Sequence, residues 1–276
     1  MARLGIGVLA FDRCDYLRAT LDGLKSNDLT DCDVWLFQDG AKNRVTGKAW
    51  ASQADLDEVF RAFRESGFEL AVRHEHNIGI AHNRLSLFEQ FDSRYDGWIQ
   101  LEDDVVMSRN CVGVMRHLLE QFRDMKDIGM IMSPLVDGIA GQDPLCLFRG
   151  VSHVGCFATR REWFGPVLAR FREYCAAIGD REYQNHDAYR RDVHALMGTT
   201  DILCSSDGAL QWALKASGLS GWVLGMSRSR CVGVKGLHMR QAIYDKYRFG
   251  DVVLRDYQGE TEQPWRRDEH TPFRRF

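Results

Sequence analysis

Three consecutive carboxylates, Glu102-Asp103-Asp104, follow directly on the apolar run Trp98-Ile99-Gln100-Leu101. Like charges so close together repel, so such a cluster is costly unless water or a cation accompanies it. Ligands that are all oxygen suit Mg²⁺ or Mn²⁺ rather than zinc. A solvated acidic turn is the plain alternative. The position just past an apolar strand favours the metal, because ligands of parallel sheets bind beyond the carboxyl ends of the strands. A second carboxylate, Asp39 in Gln38-Asp39-Gly40, also ends an apolar run, Val34-Trp35-Leu36-Phe37. Asp-Gly is a common turn pair. The same carboxylate could equally accept hydrogen bonds from a nucleotide base or ribose, and spacing leaves both roles open. Further on, Ser206-Asp207 stands where a helix running to about Ala216 would be capped.

Other patterns fail on their own terms. Gly40 to Lys48 ends in Gly-Lys, but the spacing is wrong for a phosphate loop and Ala49 stands where a hydroxyl is needed. Gly5-x-Gly7 lies inside a strand pattern rather than opening a helix. His74-x-His76 could bind a metal, but a lone pair without further soft ligands is usually surface polar chemistry. No Gly-x-Ser-x-Gly supports a serine hydrolase.

Elements that would position these residues alternate through the first hundred positions. Leu4 to Phe11 reads as a buried strand, followed by a helix with Leu17, Leu21 and Leu24 on one face. Val34 to Phe37 is a second strand, and Leu56, Val59, Phe60 and Phe63 mark a second helix. A third strand at Glu69 to His74 precedes a helix opened by Asn77-Ile78-Gly79, and Trp98 to Leu101 is a fourth strand. This order predicts an α/β fold with a mostly parallel sheet flanked by helices. Beyond Asp104 the reading is a helix over about Asn110 to Met125, strands at Ile128 to Met132 and Val154 to Thr159, and a helix at Trp163 to Tyr174. Ile178 to Thr200 is polar and carries no clear period. The tail from Tyr257 reads as frayed chain or a lid.

The 276 residues suffice for one large domain or two fused halves. A formal net charge of −3 provides no basic field for nucleic acid. The eight cysteines contain no Cys-x-x-Cys pair and sit mostly in apolar surroundings. They read as reduced core thiols of a cytoplasmic protein. No run reaches the length of a signal peptide's apolar segment or a transmembrane segment.

Four ordered segments carry a family resemblance. Ala10-Phe11-Asp12-Arg13 with Leu17 and Leu21-Asp22-Gly23-Leu24 resembles the opening strand and helix of GT-A fold glycosyltransferases. Phe37-Gln38-Asp39-Gly40 resembles their uracil-contacting segment, and Leu101-Glu102-Asp103-Asp104-Val105 their acidic metal motif. Met226-Ser227-Arg228-Ser229, with Gly233, Gly236 and His238, resembles a loop that closes over the donor diphosphate. The likeness is to the N-acetylglucosaminyltransferase I type and, more broadly, to family-2 glycosyltransferases, over about residues 5 to 245. It implies a single GT-A domain over 1–276, with a nucleotide-sugar half at 1–108. An acceptor half would follow at 109–276, its closing loop near 226–240.

By position, the resemblance makes Asp104 the ligand of Mn²⁺ or Mg²⁺, with His238 as a second candidate. Glu102 and Asp103 would lie near ribose and sugar, and Phe11 and Arg13 near the nucleotide. Asp39 would receive the base N–H, and Ser227 and Arg228 would meet the diphosphate. Asp207 falls where the family has its catalytic base, with Asp201 and Asp192 in reserve. The implied activity is inverting transfer of N-acetylglucosamine or another hexose from a UDP-sugar to a hydroxyl of a glycan, glycolipid or small molecule. Two rivals are a sugar nucleotidyltransferase and a non-catalytic nucleotide-sugar-binding protein. Phe11-Asp12-Arg13-Cys14-Asp15 lacks the glycines and basic charge of a nucleotidyltransferase's phosphate grip.

Overall fold

The computed structural model describes residues 3–135, 143–151, 153–236, 241–257 and 259–270. Chain order is β1 (Leu4–Ala10), α1 (Cys14–Lys25), β2 (Cys32–Gln38), α2 (Gln53–Glu65), β3 (Leu70–Arg73), α3 (Gly79–Asp92), β4 (Gly97–Glu102) and β5 (Val105–Met107). Then come α4 (Cys111–Gln121), β6 (Ile128–Met132), β7 (Cys146–Arg149), β8 (Cys156–Arg160), α5 (Arg161–Ile178) and α6 (Arg190–Met197). The last elements are α7 (Ser206–Ala216), β9 (Ser220–Leu224), β10 (Ser229–Cys231), α8 (Gln241–Lys246) and β11 (Arg266–Asp268).

Nine strands form one sheet in the order β11-β7-β9-β6-β8-β4-β1-β2-β3. The half built from β4, β1, β2 and β3 is parallel, as the alternating pattern predicts. Strand β8 runs antiparallel to both β4 and β6, so the sheet as a whole is mixed. This is the architecture the GT-A resemblance implies. Strand β1 is buried along its whole length because helices cover both faces, which explains its unbroken apolar sequence. On one face Leu17, Leu21 and Leu24 of α1 pack with Ile6 and Val8. On the other, Leu87, Phe88 and Phe91 of α3 pack with Leu9 and Trp98.

Register fixes what meets at the sheet's edge. Leu9 pairs with Glu102, and Ala10 with Gln38. The chain therefore leaves β1, β2 and β4 at one level, which places Phe11–Arg13, Asp39 and Glu102–Asp104 side by side. A separate antiparallel ribbon of β10 with β5 begins there, its position fixed by Val232 N–H donating to the Asp104 carbonyl at 2.8 Å.

Three expectations need correction. The polar stretch after Ile178 contains a 3₁₀ turn at His186–Ala188 and the two-turn helix α6. The described part of the tail, Tyr257 and residues 259–270, is built into the molecule, with Glu260 and Trp265 buried and Arg266–Asp268 pairing with β7. Helix α7 is capped by Ser205, whose hydroxyl accepts from Gly208 N–H at 3.2 Å, so Asp207 lies inside the first turn rather than at the cap. All eight cysteines are free thiols, six of them buried. Among the described residues no helix is long and apolar enough to cross a membrane.

Candidate active site

A cavity of about 1190 Å³ opens above the carboxyl ends of β1, β2 and β4. Its lining includes Phe11, Arg13, Asp39, Glu102, Asp103 and Asp104, and also Asp207 from the first turn of α7. Residues more than a hundred positions apart in sequence thus share one space. That volume exceeds the roughly 300–1,000 Å³ typical of a site for one small ligand.

Arg13, just before α1, binds both of the last two carboxylates of the acidic triplet. One nitrogen donates to Asp104 Oδ2 at 2.9 Å, and the other meets Asp103 Oδ1. Asp103 also accepts from Phe11 N–H at 3.4 Å, and it is buried. It therefore ties the end of β1 to the end of β4. Burial pushes its carboxyl above the usual range, while Arg13 pulls the other way. Gly233 allows the β10 loop to pass over this pair, since a β-carbon there would collide with the Asp104 carboxylate. The same loop presents Lys235, an exposed cation in the cavity wall, and Arg13 donates to its carbonyl at 3.3 Å.

Glu102 and Asp207 share a guanidinium that sequence reasoning missed. Arg84 of α3 is fully buried and donates to Glu102 Oε1 at 2.6 Å, Asp207 Oδ1 at 3.0 Å and Ser206 Oγ at 2.9 Å. Burial raises the Glu102 carboxyl, with Arg84 opposing. The signal was present in sequence: Ala81, Arg84, Phe88 and Phe91 share one helical face, and an arginine on an apolar face needs buried acids. Tyr183 fixes the same corner. Its hydroxyl accepts from Ser206 N–H at 2.9 Å, and its ring fills the space a side chain at Gly79 would take. Gly79 has φ of +78°, so it is doubly suited to glycine. Asp207 Oδ2 has no hydrogen-bond partner among the described residues, and its side chain is 41% exposed.

Asp39 is placed as expected but engaged otherwise. Its Oδ1 accepts from Gly40 N–H (2.9 Å) and Ile78 N–H (2.8 Å), and its Oδ2 from Asn77 Nδ2 (3.0 Å) and Gly79 N–H (2.9 Å). A carboxylate has about four lone-pair sites, and four donors fill them. Asp39 thus joins β2 to the start of α3, with no oxygen spare for a base N–H. Burial raises its pKa to about 6 against those donors.

Ser227 and Arg228 do not line the cavity. Both are buried, and Arg228 donates to Glu260 Oε2 at 2.5 Å with its guanidinium over the Tyr257 ring. The closing-loop assignment fails for them because they belong to the core under the C-terminal tail. Lys235 is the cation this loop brings to the cavity. His238 lies outside the described residues. The reserve acids are elsewhere: Asp192 pairs with Arg181 at 2.7 Å, and neither it nor Asp201 lines the cavity.

Among the described residues no three His, Cys, Asp or Glu side chains converge as a metal cage. A magnesium-like ion needs none, since it takes one or two carboxylates and completes its shell with water and substrate phosphates. Asp104 meets that requirement as an oxygen donor at the cavity wall, with Oδ2 held by Arg13 and no hydrogen-bond partner for Oδ1 among the described residues.

No family model matches the chain, and no curated protein matches it. Solved structures do. A mannosyltransferase, PcManGT from Pyrobaculum calidifontis in complex with GDP-Man and Mn²⁺, is similar at 11% identity and TM-score 0.44, over 78% of this chain and 72% of its own. TarS of S. aureus (residues 1–349, with UDP-GlcNAc) is similar at 12% identity and TM-score 0.45, over 86% of this chain and 60% of its own. An active-site mutant of LgtC is similar at 16% identity and TM-score 0.43, over 80% of this chain and 71% of its own. These structural neighbours are GT-A-type glycosyltransferases. At such identities and TM-scores the likeness carries no argument about this chain, and the chemistry below rests on its own residues.

Proposed function

We propose that the protein is an inverting, metal-dependent glycosyltransferase. It moves a sugar, N-acetylglucosamine or another hexose, from a UDP-sugar to a hydroxyl of a glycan, glycolipid or small-molecule acceptor. One observation carries the reading: a single cavity brings together Asp104, a candidate ligand for Mn²⁺ or Mg²⁺, and Asp207, a carboxylate with a free oxygen. The uridine assignment rests on the resemblance around Phe37–Gly40, since Asp39 itself has no oxygen to spare.

Breaking a sugar–phosphate bond builds negative charge on the departing diphosphate. A divalent ion held by Asp104 supplies Lewis-acid stabilisation of that charge when bound. Lys235 stands at the same end of the cavity and adds electrostatic support. Asp207 removes the proton from the acceptor hydroxyl through Oδ2, while Arg84 holds Oδ1 and fixes the carboxylate's direction. A single displacement with such a base inverts the anomeric centre. Glu102 shares Arg84 with Asp207, so both carboxylates keep their places when substrates arrive.

Turnover of a panel of UDP-, GDP-, CMP- and TDP-sugars, read as nucleotide release with Mn²⁺ and with EDTA, tests the proposal. Release from UDP-sugars that needs the metal and is lost in Asp104→Ala is expected. Release from another nucleotide's sugar alone would overturn the uridine assignment, and full activity in EDTA would overturn the metal's role. Absence of stabilisation by every nucleotide in thermal unfolding would overturn the whole reading.

A further inference from the structure

The cavity's floor and one of its walls carry opposite charge. Among the described residues, every carboxylate in the lining (Asp12, Asp39, Glu102, Asp103, Asp104 and Asp207) comes from the strand ends or the first turn of α7. The wall between α5 and α7 contributes Arg190, His186 and His194 instead, and no acid. Acids of that wall are turned elsewhere: Glu182 accepts from Trp50 Nε1 at 2.8 Å, Asp180 pairs with Arg44, and Asp192 pairs with Arg181.

Arg190 differs from the other arginines around the site. Arg13 and Arg228 are each committed to a carboxylate withdrawn from water, and Arg84 is itself fully buried between two acids. Arg190's ion-pair partner is Asp187, 2.8 Å away and 80% exposed, one turn earlier in the chain. Such a pair contributes little and competes weakly with a ligand. Arg190 also lies beside the Cys204 thiol, whose Sγ is 3.1 Å from His194 Nε2. The guanidinium and an imidazole therefore flank one buried thiol in the cavity wall.

We propose that this wall binds an anionic group on the acceptor, a phosphate or carboxylate, with Arg190 as the main contact and His194 and His186 beside it. The inference rests on the glycosyltransferase reading for its word acceptor, and on the cavity alone for its anion. The volume, more than one ligand needs, leaves space for both substrates. Arginine's planar fork matches the paired oxygens of either anion. The acidic floor repels such a group, so it enters against the basic wall with its hydroxyl end toward Asp207.

The test uses protein saturated with UDP and Mn²⁺, which fills the donor's phosphate positions. Inorganic phosphate, glycerol 1-phosphate, glycerate and glycerol are then titrated at constant ionic strength by calorimetry. Binding of at least one anion about tenfold or more tighter than glycerol is expected, and the phosphate and glycerate arms separate the two sources. Arg190→Gln, and independently His194→Gln, should weaken that binding, the former about tenfold, while UDP affinity holds. Equal binding of anions and glycerol, or unchanged anion binding in Arg190→Gln, would overturn the proposal. If UDP itself fails to bind, the donor reading falls. The same phosphate titration of the free protein and of Arg190→Gln then still decides the anion site.

Discussion

Each carboxylate in the cavity has a distinct set of partners, and those partners divide the work. Asp207 keeps one oxygen free while Arg84 holds the other, and Ser205 does the capping that Asp207 might have been assigned. Asp207→Asn therefore leaves the helix cap intact and tests the base directly. We expect unchanged UDP affinity and kcat lower by about a hundredfold or more; near-normal turnover would remove Asp207 from the chemistry. Asp39 serves the fold instead. Its pKa, about 6, stands above the unfolded value of about 4, so the folded state holds an extra proton between them. The contribution favours folding below pH 4, fades as pH rises toward 6 and is gone above. Urea titrations of the wild type and Asp39→Asn should differ in pH slope across this window, the wild type losing relative stability by up to about 3 kcal/mol. A wild type that instead gains stability there would show that its four donors outweigh burial.

At the scale of elements, α3 links the carboxyl end of β2 to α7. Its first turn is held by Asp39, its Gly79 by Tyr183, and its Arg84 spans Glu102 and Asp207. Arg84→Met fills the space but leaves two carboxylates facing each other. We expect a loss of about 3 kcal/mol, the low end for breaking a buried pair, because both acids reach the cavity's water. Urea midpoints measure it, and a neutral result would mean that Arg84 is no keystone. The β10–β5 ribbon predicts a second outcome. Hydrogen exchange at Ser229–Cys231 should be slow without ligand and unchanged by UDP-sugar, whereas Gly233 to Gly236 should gain protection. Protection appearing first at Ser227–Cys231 on binding would restore the closing-loop view. The parallel half was legible because β1, β2 and β4 are apolar runs ended by polar turns. Helix α6 was not, because only Val193 and Met197 of its eight residues are buried. Arg84 was legible as a charge on the apolar face of α3, but its partners were not, because Glu102 and Asp207 reach it only from distant chain.

Across the whole molecule, the two halves of the sequence contribute to one sheet, and the tail closes it. Glu260 accepts from Arg228 and also from Asn110 Nδ2 at 2.9 Å, while Trp265 Nε1 donates to the Glu260 carbonyl at 2.8 Å. Removing residues 257–276 leaves Arg228 a buried charge without its acid, at a cost of about 3–5 kcal/mol. The truncated chain should lose cooperative unfolding in calorimetry; an unchanged transition would make the tail dispensable. The order of synthesis gives this pair a further meaning. A ribosome delivers β1 through β10 before it delivers Glu260, and until then Arg228 is better solvated than buried. The ribbon that leads to Gly233 and Lys235 over Asp104 therefore settles only after Glu260 has been delivered. The strand ends that bear the acidic floor are delivered before the residue that locks the ribbon above them, so a growing chain holds Asp104 in the open until Glu260 arrives.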